Sequence, residues 1–275
     1  MRGLIRKCKS LTSKPFGVNF LLLSGGNDFM AMAELIVEEG VKVVETAGRP
    51  HPPELLKLLK DAGVTIIHKC VDVRHALAVE RNGVDIVEMA GLDLGGHPGE
   101  KDVGNWILLA AAGKKLSVPW IAAGGTATGS QLAAALTLGA SGVNMGTRFM
   151  ATQECEIDPT IKQAIVKGTE HDTELLMRGY NTLRVFKNSA AKEAKQLELE
   201  GATKSDRYRE LLQDNPDGKT RQALQGAVPE DSAVWSAGQS MALITDIPSC
   251  AELLQRMVAE AADVLDRSSA MVSRL

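Results

Sequence analysis

The sequence predicts an α/β fold, a TIM-type parallel βα barrel that is incomplete, with six of its eight strands, and carries a helical insertion. Three observations predict it. From about residue 16 to 149 a β-rich apolar run, a loop and a helical pattern recur, and the runs are apolar on both faces, as parallel strands covered by helices must be. Gly40, Gly63 and Gly83 are spaced at roughly the 20 residues that one βα unit requires. After Phe149 the pattern stops and charged helical stretches take over. A complete barrel needs about 250 residues, so 275 residues would suffice, yet only six strands are counted by residue 149.

The strands are predicted over 16–23, 41–47, 64–70, 84–90, 119–123 and 142–145. Asp28 caps a helix with Met32, Leu35 and Ile36 on one stripe and Gly40 at its end. Pro52-Pro53 opens the next, where Leu55, Leu56, Leu58 and Leu59 lead to Gly63 as a left-handed terminal glycine. A third runs over 74–82 and stops at Gly83, and Thr128-x-x-Gln131 is a capping box ahead of a helix closed by Gly139. Residues 154–232 read as helices (189–199, 205–213) and polar turns such as Asn215-Pro216-Asp217-Gly218, with no β signal. They are either an appendage packed on the barrel or a lid over a site, and are taken as a helical substrate or lid domain between two parts of one barrel domain, 1–153 and 233–275. Two helices close the chain, the second starting at Pro248-Ser249 and ending near Arg267.

With 31 basic and 34 acidic side chains the net charge is −3, which gives no global attraction to nucleic acid or anionic lipid. The longest apolar stretch, Ile107 to Ala112, is too short to span a bilayer, and the basic start lacks the apolar segment of a secretory signal. A cytoplasmic protein is expected. Cysteines at 8, 70, 155 and 250 match neither a metal half-site nor a disulfide framework. The five histidines show no paired spacing either, so no metal is expected, and His51, His68, His75 and His171 read as surface or packing residues.

Ligands of parallel βα folds bind beyond the carboxyl ends of the strands. Two consecutive strand ends there are glycine-rich, Ala123-Gly124-Gly125-Thr126 and Asn144-Met145-Gly146-Thr147-Arg148. Small residues let backbone N–H groups approach an anion, and a following helix N-terminus adds positive charge, so a phosphorylated cofactor is expected. A third loop, Ala90 to Glu100, holds Gly95, Gly96 and His97. His97 is either a general base over the strand ends or an exposed loop residue capping the next helix. Lys69 closes an otherwise apolar strand, where it either donates to an electron-rich acceptor such as the pyrimidine edge of a flavin or snorkels into water. Asn19 has a similar choice between ligand contact and turn formation.

Together these stretches resemble the nitronate monooxygenase family, formerly the 2-nitropropane dioxygenases, which are FMN-dependent βα barrels. The matching segments include Lys14 to Asn19, His68-Lys69-Cys70, Gly95-Gly96-His97-Pro98-Gly99-Glu100, Gly142 to Thr152 and Trp235-Ser236-Ala237-Gly238-Gln239, in the family's order. The resemblance implies FMN with its phosphate on Gly124, Gly125, Gly146 and Thr147. It puts Lys69, Gly95, Ala123, Asn19 and Gln239 near the ring or ribityl chain and makes His97 the active-site histidine, able to take the α-proton of a neutral nitroalkane. The implied reaction oxidises alkyl nitronates with dioxygen to a carbonyl compound and nitrite. Two departures stand out. Ala90 replaces the Asp that relatives carry before the loop glycine, and the chain opens in what corresponds to the family's second helix, Leu4 to Leu11, which predicts two absent βα units and exposed edges on the first and last strands. The alternatives are an FMN-dependent NAD(P)H:quinone or enoyl-thioester reductase, and a truncated non-catalytic member whose open barrel binds flavin poorly or folds only with a partner completing the sheet; a homo-oligomer is a further expectation.

Overall fold

The computed structural model describes residues 1–22, 28–212 and 218–274. Helix α1 (Arg2–Leu11) precedes an alternation of β1 (Gly17–Leu22), α2 (Phe29–Glu38), β2 (Val43–Gly48), α3 (Pro53–Asp61), β3 (Thr65–Cys70), α4 (Val73–Arg81), β4 (Ile86–Ala90), α5 (Asn105–Gly113), β5 (Trp120–Ala123), α6 (Gly129–Thr137) and β6 (Val143–Asn144). The six strands are parallel and lie in chain order. This is an incomplete TIM-type sheet, curled with helices on its outer face. Alternation along β3 buries Ile66, His68 and Cys70 under the helices, while Ile67 and Lys69 point the other way.

The predicted punctuation is where the helices start and stop. The Asp28 carboxylate accepts from Ala31 N–H at 2.9 Å. Gly40, Gly63, Gly83 and Gly139 all take positive φ, from 66° to 100°, at the ends of α2, α3, α4 and α6. Thr128 and Gln131 complete the capping box of α6. Helix α5 had no predicted stripe because it is apolar nearly all round: Leu108, Leu109 and Ala112 are buried while Trp106 and Ile107 are exposed. The last strand shrinks from the expected four residues to Val143–Asn144.

Beyond the sheet come α7 (Thr147–Met150), α8 (Pro159–Lys167), β7 (Thr173–Leu176), β8 (Leu183–Phe186), α9 (Ser189–Leu199), α10 (Asp206–Leu211), α11 (Lys219–Leu224), a 3-10 turn (Gln239–Leu243) and α12 (Cys250–Val272). The expectation of no β structure in 154–232 is corrected here: β7 and β8 pair as an antiparallel hairpin. Each strand has only four residues and is mixed in polarity, so it leaves no periodic trace, and stability comes from Leu176 and Val185 packing on α9 and α10. The hairpin also bridges outward, Gly96 to Arg184 and Val185 to Ser236. Leu23, Gln213 and the turn residues Asn215, Pro216 and Asp217 lie outside the described residues. Among the described residues no helix is long and apolar enough to cross a membrane.

Candidate active site

A cavity opens at the carboxyl ends of β3 to β6. Seven of the ten residues singled out from the sequence line it: Lys69, Gly95, Ala123, Gly124, Gly125, Gly146 and Thr147. Glu88, Leu94, Thr126, Asn144, Ser236, Gly238 and Ser240 line it as well. Asn19 sits on the edge strand β1, hydrogen-bonded to Glu45 and outside the lining, because two strands separate it from β4. Gln239 is displaced by its neighbours Gly238 and Ser240, and its N–H is held by the Asp93 carbonyl at 3.0 Å. His97 is exposed and also outside the lining, two residues beyond Gly95, on a loop fixed by the Gly96–Arg184 bridge.

The glycines do different jobs. Gly124 and Gly125 have φ of 75° and 71°, and a Cβ on Gly124 would meet Leu94 Cβ at 2.5 Å, so backbone conformation and close packing both require glycine there. A Cβ on Gly95 would lie 2.5 Å from the Ala237 carbonyl carbon, which shows how tightly the 235–239 segment crosses the loop. Gly146 differs. Its φ is −96° and a Cβ there would meet nothing within 4 Å, so the protein's own packing gives no reason for glycine on this wall.

Of the two helix N-termini that follow these loops, α7 starts at Thr147 in the cavity lining and that of α6 is occupied. The first amides of α6 are already taken: Glu260 of α12 accepts from Gly129 and Ser130 N–H at 2.9 and 3.1 Å, and Gln131 accepts from Ala127 N–H at 2.8 Å. That leaves the Gly124–Thr126 and Gly146–Thr147 backbone facing the cavity. Asn105 fixes the first of these loops. Its side chain donates to the Ala123 and Gly124 carbonyls and accepts from Gly91 N–H at 2.7 Å.

On the opposite wall Lys69 Nζ lies 3.4 Å from Glu88 Oε1, and Asn144 Nδ2 donates to Glu88 Oε2 at 2.8 Å. Glu88 is 1% exposed and its Oε1, though in reach of the ammonium, has no hydrogen-bond partner among the described residues. Farther along the same face burial, and then the charge of Glu88, raise the Glu45 carboxyl above its ordinary pKa. The cavity thus has a mixed ammonium and carboxylate wall facing a wall of backbone and small side chains.

The nitronate monooxygenase family model matches residues 23–260. The chain belongs to that family. This nitronate monooxygenase family member is 32% identical to the Rhodococcus jostii "(3aS,4S,5R,7aS)-5-hydroxy-7a-methyl-1-oxo-octahydro-1H-indene-4-carboxyl-CoA dehydrogenase", over 98% of its own length and 84% of that protein's. It is 33% identical to a probable nitronate monooxygenase of Bacillus subtilis, over 85% and 68% of the two chains. Among solved structures FabK from Thermotoga maritima superposes with a TM-score of 0.88 at 31% identity, covering 98% of this chain and 83% of that one.

For this family member, Glu88 and Asn144 are the site residues that sequence reasoning missed. A signal was available: Asn144 is the lone polar residue of its predicted strand, and Glu88 is a carboxylate amid apolar residues near the carboxyl end of its strand, in register with Lys69. Arg148, in the motif that carries the resemblance, turns away from the cavity. It is 2% exposed, pairs with Asp246 Oδ1 at 3.2 Å and donates to the Ala151 and Asp246 carbonyls at 2.8 Å. Its role is to join the end of β6 to the segment that leads into α12.

Proposed function

We propose that the chain is an FMN-dependent oxidoreductase that oxidises alkyl nitronates with dioxygen to a carbonyl compound and nitrite. The observation that carries this reading is Gly146, where the fold would tolerate a side chain yet the residue lining the cavity with Gly124 and Gly125 is glycine. Backbone N–H groups of Gly124, Gly125, Gly146 and Thr147 would hold the phosphate, as amides can donate at close range to an anion. The ammonium of Lys69 and the unsatisfied Glu88 Oε1 suit a ring edge that alternates acceptors and donors, and FMN itself would supply the transfer of reducing equivalents from substrate to dioxygen. Gly95 and Ala123 leave room beside the ring, and we assign Asn19 and Gln239 only to its outer surroundings. His97 would take the α-proton of a neutral nitroalkane, with residues 154–232, which grip its loop through Arg184, acting as a lid.

One observation favours a second reading. The Rhodococcus relative, similar over nearly the whole chain, is named a carboxyl-CoA dehydrogenase, which points to an acyl thioester as substrate, with the flavin as hydride carrier: the thioester is reduced when NAD(P)H is the donor, or oxidised when an electron acceptor takes the hydride on. Anaerobic mixing of the flavin-loaded protein with a nitronate, and separately with NADH, decides between them. Bleaching by the nitronate with aerobic nitrite release supports the first; bleaching by NADH alone supports the second, and a chain that takes up no FMN overturns both.

A further inference from the structure

A cluster of histidines and a cysteine lies on the other side of β3 from Lys69, buried between the sheet and the start of α3 and α4. His68 and Cys70 come from β3 and are 0% exposed. His75 comes from the first turn of α4 and is half-buried. One ligand atom from each of the three lies within 4.8 Å of the other two. The His68 and His75 rings stand edge to face with centroids 5.2 Å apart.

The hydrogen bonding leaves this cluster unfinished. Thr46 Oγ1 lies 2.8 Å from both His68 Nδ1 and His51 Nε2, and 3.2 Å from the Ile67 carbonyl. A hydroxyl has one proton, and giving it to Ile67 or to His51 makes His68 Nδ1–H the donor to Thr46 and leaves Nε2 as a bare lone pair. Among the described residues His68 Nε2 and His75 Nε2, both buried, have no hydrogen-bond partner. Buried polar atoms are nearly always paired, so two orphaned ring nitrogens beside a thiol call for a ligand.

We propose that His68, Cys70 and His75 form a binding site for one divalent transition-metal ion of the zinc type. Two imidazoles and a thiolate form a borderline-soft set that suits zinc or cobalt and not calcium or magnesium. Bonds of about 2.0–2.3 Å put tetrahedral ligand atoms roughly 3.3–3.7 Å apart, so the cluster must close by about 1 Å, which rotation of the half-buried His75 can supply. Thr46, bonded to the far nitrogen of His68, is the outer partner that fixes the ring of a metal-ligating histidine. With its Nδ1–H donated to Thr46, the neutral His68 imidazole enters as it stands, through Nε2. The thiol does not. On binding, the Cys70 S–H bond breaks, a sulfur–metal bond forms and one proton goes to the buffer; both imidazoles coordinate through lone pairs and release none. The bound ion would tie the end of β3 to α4, directly behind the strand that presents Lys69.

The test uses the whole chain with Cys8, Cys155 and Cys250 changed to Ser, titrated with cobalt(II) alone and then with zinc(II) in two buffers of different ionisation enthalpy. The expected result is one tetrahedral cobalt per chain with a thiolate charge-transfer band, displaced by zinc with release of one proton. Cys70→Ala should abolish the charge-transfer band, and His75→Gln, at a half-buried helix position, should weaken binding at least tenfold with unchanged helicity. No stoichiometric tetrahedral cobalt, or a signal that survives both substitutions, overturns the proposal. FMN uptake measured alongside keeps this outcome separate from that of the flavin reading.

Discussion

Gly146→Ala separates ligand binding from folding. The residue has φ −96° and ψ −70°, a conformation alanine adopts freely, and its Cβ would meet no atom within 4 Å. Replacing a glycine in a compatible conformation stabilises by about 0.4–1 kcal/mol through the unfolded chain, offset by a few tenths because alanine is the poorer N-cap. The net change in stability should stay within about 1 kcal/mol, or roughly 2–4 °C for a chain of this size. Cofactor binding should respond differently, because the new methyl occupies the place where a phosphate oxygen would approach. Losing one charge-assisted hydrogen bond, about 1.5–3 kcal/mol, corresponds to roughly 10- to 150-fold weaker FMN binding. Quenching of flavin fluorescence on titration gives the affinity, and a thermal melt without flavin gives the stability. A variant that melts like the parent and binds FMN equally well would refute the placement of the phosphate. A large drop in melting temperature would instead show that the fold itself needs glycine there.

Other expectations follow from the same contacts. Lys69→Met leaves the Glu88 carboxylate buried without its cation and should cost about 1–2 kcal/mol, less than a fully buried pair because Lys69 is partly exposed, while Lys69→Met with Glu88→Gln should recover most of it in chemical denaturation. Asn105→Ala removes the clamp between Gly91, Ala123 and Gly124 and should destabilise by about 2–4 kcal/mol, with faster amide exchange in the Gly124 loop. Glu260→Ala removes the acceptor of the Gly129 and Ser130 amides while the Thr128–Gln131 capping box stays, and should cost about 1 kcal/mol in thermal unfolding, with flavin affinity changed less than in Gly146→Ala. Arg6 and then Arg2 lower the Glu39 carboxyl from 4.5 to about 2. A depressed carboxylate stabilises above its unfolded pKa, so docking of α1 is full above about 4.5 and is lost as pH falls toward 2. Exchange of α1 amides measured across that window should show the loss, and Glu39→Gln should flatten it.

The sheet and its helix boundaries were legible in the sequence because local chemistry specifies them. Gly63 and Gly83 need left-handed backbone, and Thr128 with Gln131 caps α6 through bonds spanning three residues. The cavity was legible for a related reason, since Gly124, Gly125, Gly146 and Lys69 each sit at the end of a readable strand. What stayed hidden depends on contacts distant in sequence. The β7–β8 hairpin is held by packing and by bridges to Gly96 and Ser236. Glu260 occupies the amides of α6 from 131 residues away, which no reading of the Thr128 region could anticipate. The His68, Cys70 and His75 cluster spans a strand, a loop and a helix, so its spacing matches no ligand motif and only the folded packing brings the atoms together.

The 235–239 segment that crosses the Gly95 loop and the Glu260 carboxylate at the start of α6 impose an order on synthesis. The two glycine loops are complete once Thr147 is made, yet Gly238 must still arrive to meet the Thr147 hydroxyl at 2.9 Å, and Glu260 to meet Gly129. Roughly 110 residues separate Thr147 from Glu260, which at about 5–20 residues per second is roughly 6–22 seconds of elongation. For that interval a nascent chain exposes an open cavity and unpaired first amides on α6. A chaperone would have its greatest effect in that window.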